Sequence, residues 1–176
     1  MIDYFALLDE ARRPWLDPEQ LKEKYFARNR AAAADAELNE AFRVLSDPKL
    51  RLQHLLTLEG AQLTAGRPVP PSVAELFWNT GTVLREVDRL LLKSGEASSA
   101  LSRALLSGER AKLEGKLAEL ERQLNATYET ELGRVRESGP VSPNELEKLI
   151  QFYDSISYLT RLREQVTEKR HRLNVA

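Results

Sequence analysis

Three long stretches of residues 72–173 repeat leucine and valine at helical spacing, and packed helices are what bury such faces. Val73, Phe77, Leu84, Val87 and Leu91 share one face when residues are placed at 100° intervals. Leu113, Leu117, Leu120, Leu124 and Leu132 line a second face, and Leu159, Leu162, Val166 and Leu173 a third. Three long amphipathic helices with short connections predict a three-helix bundle or coiled coil over 72–176.

The punctuation is helical throughout, and no segment alternates with period two between turn signals. Asp17-Pro18-Glu19-Gln20 reads as a helix start, with Asp as N-cap and Pro in the first turn. Ser72 with Glu75, and Ser142 with Pro143 and Glu145, repeat that grammar, while Asp47-Pro48 restarts a helix where another ends. Gly60, Gly95 and Gly139 stand where helices can stop. The predicted helices are 3–11, 18–29, 32–46, 48–59, 72–93, 97–137 and 142–173, an all-α fold. The segment "LTAGRPVPPS" (63–72) has no helical period, so 63–71 reads as a linker between a unit at 1–62 and the bundle. Tyr4, Leu7, Leu8, Leu21, Tyr25, Leu38, Phe42, Leu45, Leu52 and Leu55 are the expected core of the first unit.

Charged residues make up 30% of the chain yet leave a net charge of −1, which argues against nucleic acid as a partner. With no cysteine, disulfides and thiolate metal sites are excluded. No apolar run approaches the ~20 residues of a membrane span, and Met1 leads directly into a charged segment rather than a signal peptide. The expectation is a soluble, cytoplasmic protein with no membrane partner. His54 and His171 are the only histidines, and neither has a cysteine or a carboxylate pair beside it. His54 reads as a packed or surface helix residue, and "EKRHRL" (168–173) as cations suited to a helix C-terminus. "SGE" (107–109) is at most a helix break. Nothing forms a catalytic constellation, a phosphate loop or a metal set, so neither an enzyme nor a cofactor is expected.

"DYFALL" (3–8), "DPEQLKEKYF" (17–26) and "LNEAFRVLSDPKLRLQHLLTLEG" (38–60) together resemble a J domain, in particular that of the HscB co-chaperones. "LREVD" (84–88) and "ISYLTRLREQVTEK" (156–169) are similar to the C-terminal three-helix domain of the same family. The resemblance implies a co-chaperone whose J domain engages a DnaK-type ATPase through a His-Pro-Asp loop and whose bundle binds the iron–sulfur scaffold protein IscU. The chain departs from the family twice. It has no His-Pro-Asp triplet, and Arg28, Asn29 and Arg30 stand where the longer helix and its loop belong. A helix from Pro18 to Asn29 is only ~18 Å long. The N-terminal unit therefore reads as a truncated J-like domain without normal ATPase stimulation, and Arg28–Arg30 as a weak chaperone contact. Second, "GEASSALSRALLSG" (95–108) reads as an insertion lengthening the turn between the first two bundle helices.

Trp78 falls almost opposite the apolar face of its helix, with Thr82 and Arg85 beside it, the composition of an interface anchor. The resemblance places scaffold binding on Trp78, Thr82, Arg85, Glu86 and, on the last helix, Tyr158. Asn79, Thr82 and Val83 replace hydrophobic and acidic positions of the family, whereas Arg85 and Glu86 match it. Packing of Trp78 between the two halves, or against a second copy, stands as the alternative. Arg12, Arg13, Lys22 and Lys24 offer at most a weak basic face. Three functions follow: an adapter for an IscU-type scaffold or other client, a co-chaperone with an altered ATPase contact, and a structural, oligomerising helical module.

Overall fold

The computed structural model describes residues 1–31, 35–63, 66–97, 99–139 and 145–175. It is all-α, with seven helices and no strand among the described residues: α1 (Tyr4–Leu7), α2 (Pro18–Ala31), α3 (Ala36–Ser46), α4 (Pro48–Leu58), α5 (Pro71–Glu96), α6 (Ala100–Glu137) and α7 (Leu146–Val175). By contacts the chain forms two compact units, each built from two stretches. The first is Met1–Pro68 with Thr130–Ile156, and the second is Val69–Glu129 with Ser157–Ala176.

In the first unit α3 packs on α1, α2 and α4. Phe5, Leu8, Leu21, Leu45, Leu52, Leu55 and Leu56 are fully buried there. Each such side chain contributes about 1.5–3 kcal/mol relative to exposure. Aspartates set the helix starts. Asp17 Oδ1 accepts from the backbone N–H of Glu19 and Gln20, each at 3.0 Å, and Asp47 Oδ1 accepts from Leu50 at 2.8 Å. Asp35 caps α3 by accepting from Glu37 at 2.9 Å, so α3 begins at Ala36 rather than at 32. Of the expected first four residues of that helix, 32–34 lie outside the described residues.

The expected helix 3–11 is one turn long. It stops because Asp9 adopts φ 55, and Glu10 N–H then returns to the carbonyl of Phe5 (2.8 Å). A short polar side chain tolerates this left-handed position, which more often carries glycine. Gly60 closes α4 by the same geometry, with φ 74 and Ala61 N–H on the carbonyl of Leu56 (2.9 Å).

The second unit is the bundle. Val73, Val87 and Leu90 of α5 pack with Leu113, Leu117 and Leu124 of α6 and with Leu159, Leu162, Val166 and Leu173 of α7. The anticipated long turn at 95–108 is instead helix: α5 runs through Glu96 and α6 starts at Ala100. A run rich in Ala and Leu favours helix, and Ser99 with Ser102 caps it reciprocally. Ser102 N–H donates to Ser99 Oγ (3.0 Å) and Ser99 N–H to Ser102 Oγ (3.2 Å). "SGE" at 107–109 lies inside α6 without breaking it. At the other end, α5 starts ahead of the expected Ser72. Pro70 is the N-cap, makes no side-chain capping bond, and hands over to Pro71 at the first helical position. Ser142 and Pro143 lie outside the described residues, and α7 begins at Leu146.

Candidate functional site

The second unit carries the residues that the sequence offers to a partner. Thr80 and Val87, at i and i+7, turn α5 toward the core, so the opposite face of the helix is left to solvent. Trp78 lies on that outward face with 69% of its surface exposed. Thr82, one turn on, donates from Oγ1 to the Trp78 carbonyl (3.1 Å), and Arg85 Nη2 donates to Thr82 Oγ1 (3.2 Å). These two bonds run along the outside of the helix and hold Arg85 back toward Trp78.

The Trp78 ring is not isolated. Phe77 meets it edge-on, with centroids 5.5 Å apart and planes at 80°. Phe77 in turn meets Tyr158 of α7 edge-on, at 6.2 Å and 89°. Edge-to-face geometry sets the positive rim of one ring against the negative face of the next. Tyr158 is half-buried against the bundle core, as is Phe77. Of the five predicted residues, Trp78, Thr82 and Arg85 form one exposed group, and Tyr158 joins it through Phe77. Glu86 is turned aside: its carboxylate is paired with Lys116 of α6 at 2.6 Å.

Arg28, Asn29 and Arg30 occupy the last two turns of α2, with both arginines exposed. Arg30 Nε donates to the carbonyl of Phe26 (3.2 Å), an ordinary use of a cation at a helix end. Tyr25 stacks on Phe42 (4.3 Å) and donates to Asn39 Oδ1 (2.6 Å), which ties this end of α2 to α3. Phe26 beside it is 47% exposed and was not singled out from sequence, since its apolar character suggests core.

The weak basic face is partly consumed. Arg12 pairs with Asp3 (2.8 Å) and Glu59 (3.6 Å), and Lys24 pairs with Glu10 (3.0 Å). Although partial burial pushes the Asp3 carboxyl up, the Arg12 guanidinium and the N–H groups of Ala6 and Phe5 hold it below its ordinary value. Two further residues went unread in the sequence. Arg51 is buried although charged, and Arg67, in the middle of the expected linker, binds Asp154 at 2.6 Å.

Among the described residues, no cluster of three or more His, Cys, Asp or Glu side chains is placed to hold a metal ion, and no helix is long and apolar enough to cross a membrane. His54 is packed, as one of its two readings had it. An exposed tryptophan and arginine on one helix face are the residue types enriched where proteins bind one another.

The fold decides the comparison. Over nearly its whole length the chain is similar to the chaperone HscB from Vibrio cholerae. The match covers 98% of this chain and 99% of that one, with a TM-score of 0.52 and 17% identity. No family model and no curated protein matches the sequence. At that identity the likeness is one of fold: the same all-α plan, end to end, on a largely different set of residues.

Proposed function

We propose that this chain is an HscB-like adapter that binds a protein client through the outward face of α5, with an IscU-type iron–sulfur scaffold as the client. The observation that carries the reading is Trp78. A tryptophan 69% exposed on a helix whose other faces are well packed is a large apolar area left in water. Its support by Phe77 and Tyr158 gives it the pre-organisation of a binding anchor. The fold likeness to a chaperone supports the class of activity. The absence of His-Pro-Asp from the sequence supports a protein that does not stimulate a DnaK-type ATPase in the usual way, with Arg28, Asn29 and Arg30 as the residual chaperone contact.

Calorimetric titration with the IscU-type scaffold from the same source tests this. The expected result is binding at micromolar strength that Trp78→Ala weakens at least tenfold. No heat at high scaffold concentration overturns the scaffold reading. Single-turnover ATP hydrolysis by a DnaK-type protein is expected to be unchanged by an excess of the chain, and acceleration overturns that part.

One observation favours the structural alternative. Leu101 and Leu105 are 72% and 65% exposed on the first two turns of α6, a face that a second copy would cover. A mass near the 20.0 kDa of one chain across a concentration series by light scattering excludes it.

A further inference from the structure

The exposed face of α5 continues past Arg85. Trp78, Arg85, Arg89 and Leu92 stand at i, i+7, i+11 and i+14, within a narrow sector of the helix surface and spread over ~21 Å of its length. All four are exposed, Leu92 at 72%. Two carboxylates, Glu86 and Asp88, lie within the same span, and both are already neutralised by other helices. Glu86 is bound by Lys116 of α6, and Asp88 by Lys169 of α7. Among the described residues, Arg85 hydrogen-bonds the Thr82 hydroxyl and neither Arg85 nor Arg89 has a carboxylate partner. The stripe thus presents two uncompensated guanidiniums between two apolar ends. Glu75 and Glu96 lie one turn beyond Trp78 and Leu92 respectively.

From this we infer that the partner offers an acidic protein surface: carboxylates opposite Arg85 and Arg89, flanked by apolar side chains that cover Trp78 and Leu92. The inference rests on the reading of the α5 face as a partner site and adds the polarity of what binds there. Two guanidiniums without counter-charges attract a negative partner and resist a positive one, while the flanking apolar residues exclude water from the ion pairs that form. Lysines 116 and 169 contribute indirectly, by removing the two acids that would have cancelled the field.

The experiment uses the full chain and a pair of labelled helical peptides with leucines at i, i+4, i+7 and i+11, one with glutamates at the remaining positions and one with lysines. Fluorescence anisotropy is expected to give a Kd of about 10–100 μM for the glutamate peptide and no binding of the lysine peptide. The double variant R85E/R89E, both positions being exposed, is expected to fold as the parent by circular dichroism and to reverse the preference. Leu92→Ala weakens the glutamate peptide at least threefold without reversing it, and raising the salt weakens the parent complex. Failure of the glutamate peptide to bind, or indifference of binding to the charge reversal, overturns the inference. Binding to vesicles of anionic phosphatidylglycerol with no peptide binding overturns it in favour of a lipid surface. Titration of the scaffold separates this inference from the reading beneath it. If the scaffold binds and depends on Trp78 but not on Arg85 or Arg89, the polarity is wrong and the adapter reading survives. If the scaffold does not bind while the charge-reversed peptide preference holds, the polarity stands and the scaffold is not the client.

Discussion

Arg51 donates from Nε to the carbonyl of Pro14 at 2.9 Å and from Nη1 to the carbonyl of Leu45 at 2.7 Å. One side chain on α4 therefore closes the C-terminal turn of α3 and pins a loop 37 residues away in sequence. Buried carbonyls left without a donor each cost about 1–3 kcal/mol, and a bond from a charged donor contributes more than a neutral one. Arg51→Met is expected to destabilise the protein by about 2–4 kcal/mol in urea unfolding. Arg51→Lys recovers less than half, because a lysine ammonium does not span both carbonyls in the fixed fork of a guanidinium. A loss below 0.5 kcal/mol for the methionine variant contradicts this account.

His54 sets a pH limit. Its Nε2 accepts the backbone N–H of Tyr4 (3.1 Å), and its ring stacks on Tyr4 with centroids 4.6 Å apart. A protonated imidazole has no lone pair for that bond, so the fold holds the neutral form. Burial lowers the His54 pKa, with Arg12 acting the same way and Asp3 opposing. A lowered folded value means that the unfolded chain takes up the proton first as pH falls. The contribution is complete above the ordinary histidine value of ~6.5 and is lost as pH drops from there to the folded value. Asp3, whose folded value is also lowered, acts in a separate window below ~4. Melting temperatures between pH 8 and 5 are expected to fall for the parent and to stay nearly level for His54→Gln, whose amide oxygen still accepts from Tyr4. Parallel slopes for the two proteins count against the bond.

Thr80 is fully buried in α5, and its hydroxyl has no hydrogen-bond partner among the described residues. A buried donor without an acceptor is a cost that an isosteric methyl removes. Thr80→Val is expected to stabilise by about 1 kcal/mol, roughly 2–4 °C in the melting temperature for a chain of this size. A lower melting temperature than the parent's indicates that the hydroxyl is bonded.

Asp17-Pro18 and Asp47-Pro48 placed the starts of α2 and α4 to the residue, because a carboxylate acceptor and a missing N–H act locally. The α5 face was legible because periodicity alone separates Trp78 from Val73 and Val87. The end of α1 was not, since the left-handed turn falls on Asp9 where glycine is the usual marker. Arg51 escaped because a charge in a helical run reads as solvated, and Arg67 because it stands in a segment that reads as a linker. Only the tertiary fold brings Pro14, Leu45 and Asp154 within reach. The helix predicted over 97–137 holds as α6 from Ala100, whereas the lengthened turn that the resemblance suggested at 95–108 does not, because local propensity and the Ser99–Ser102 cap keep this stretch helical.

Phe77 and Trp78 are adjacent, touch edge-on, and should respond oppositely to truncation. Phe77 is half-buried against the bundle core and also supports Tyr158, so Phe77→Ala removes packing on two sides. It is expected to cost about 2 kcal/mol of stability. Trp78 is mostly in water, and Trp78→Ala is expected to change stability by no more than about 0.5 kcal/mol. Binding of the client should show the reverse order. Trp78→Ala costs about 2 kcal/mol, near 30-fold in Kd, while Phe77→Ala costs less and acts through the freedom it gives the tryptophan. Tyr158→Ala should weaken binding without Trp78 being altered, because it removes the ring that Phe77 meets edge-on. Chemical denaturation and titration of the same three variants separate an anchor from its support. If Trp78→Ala proves as destabilising as Phe77→Ala, the indole belongs to the core and the outward face of α5 loses its claim to be a binding site.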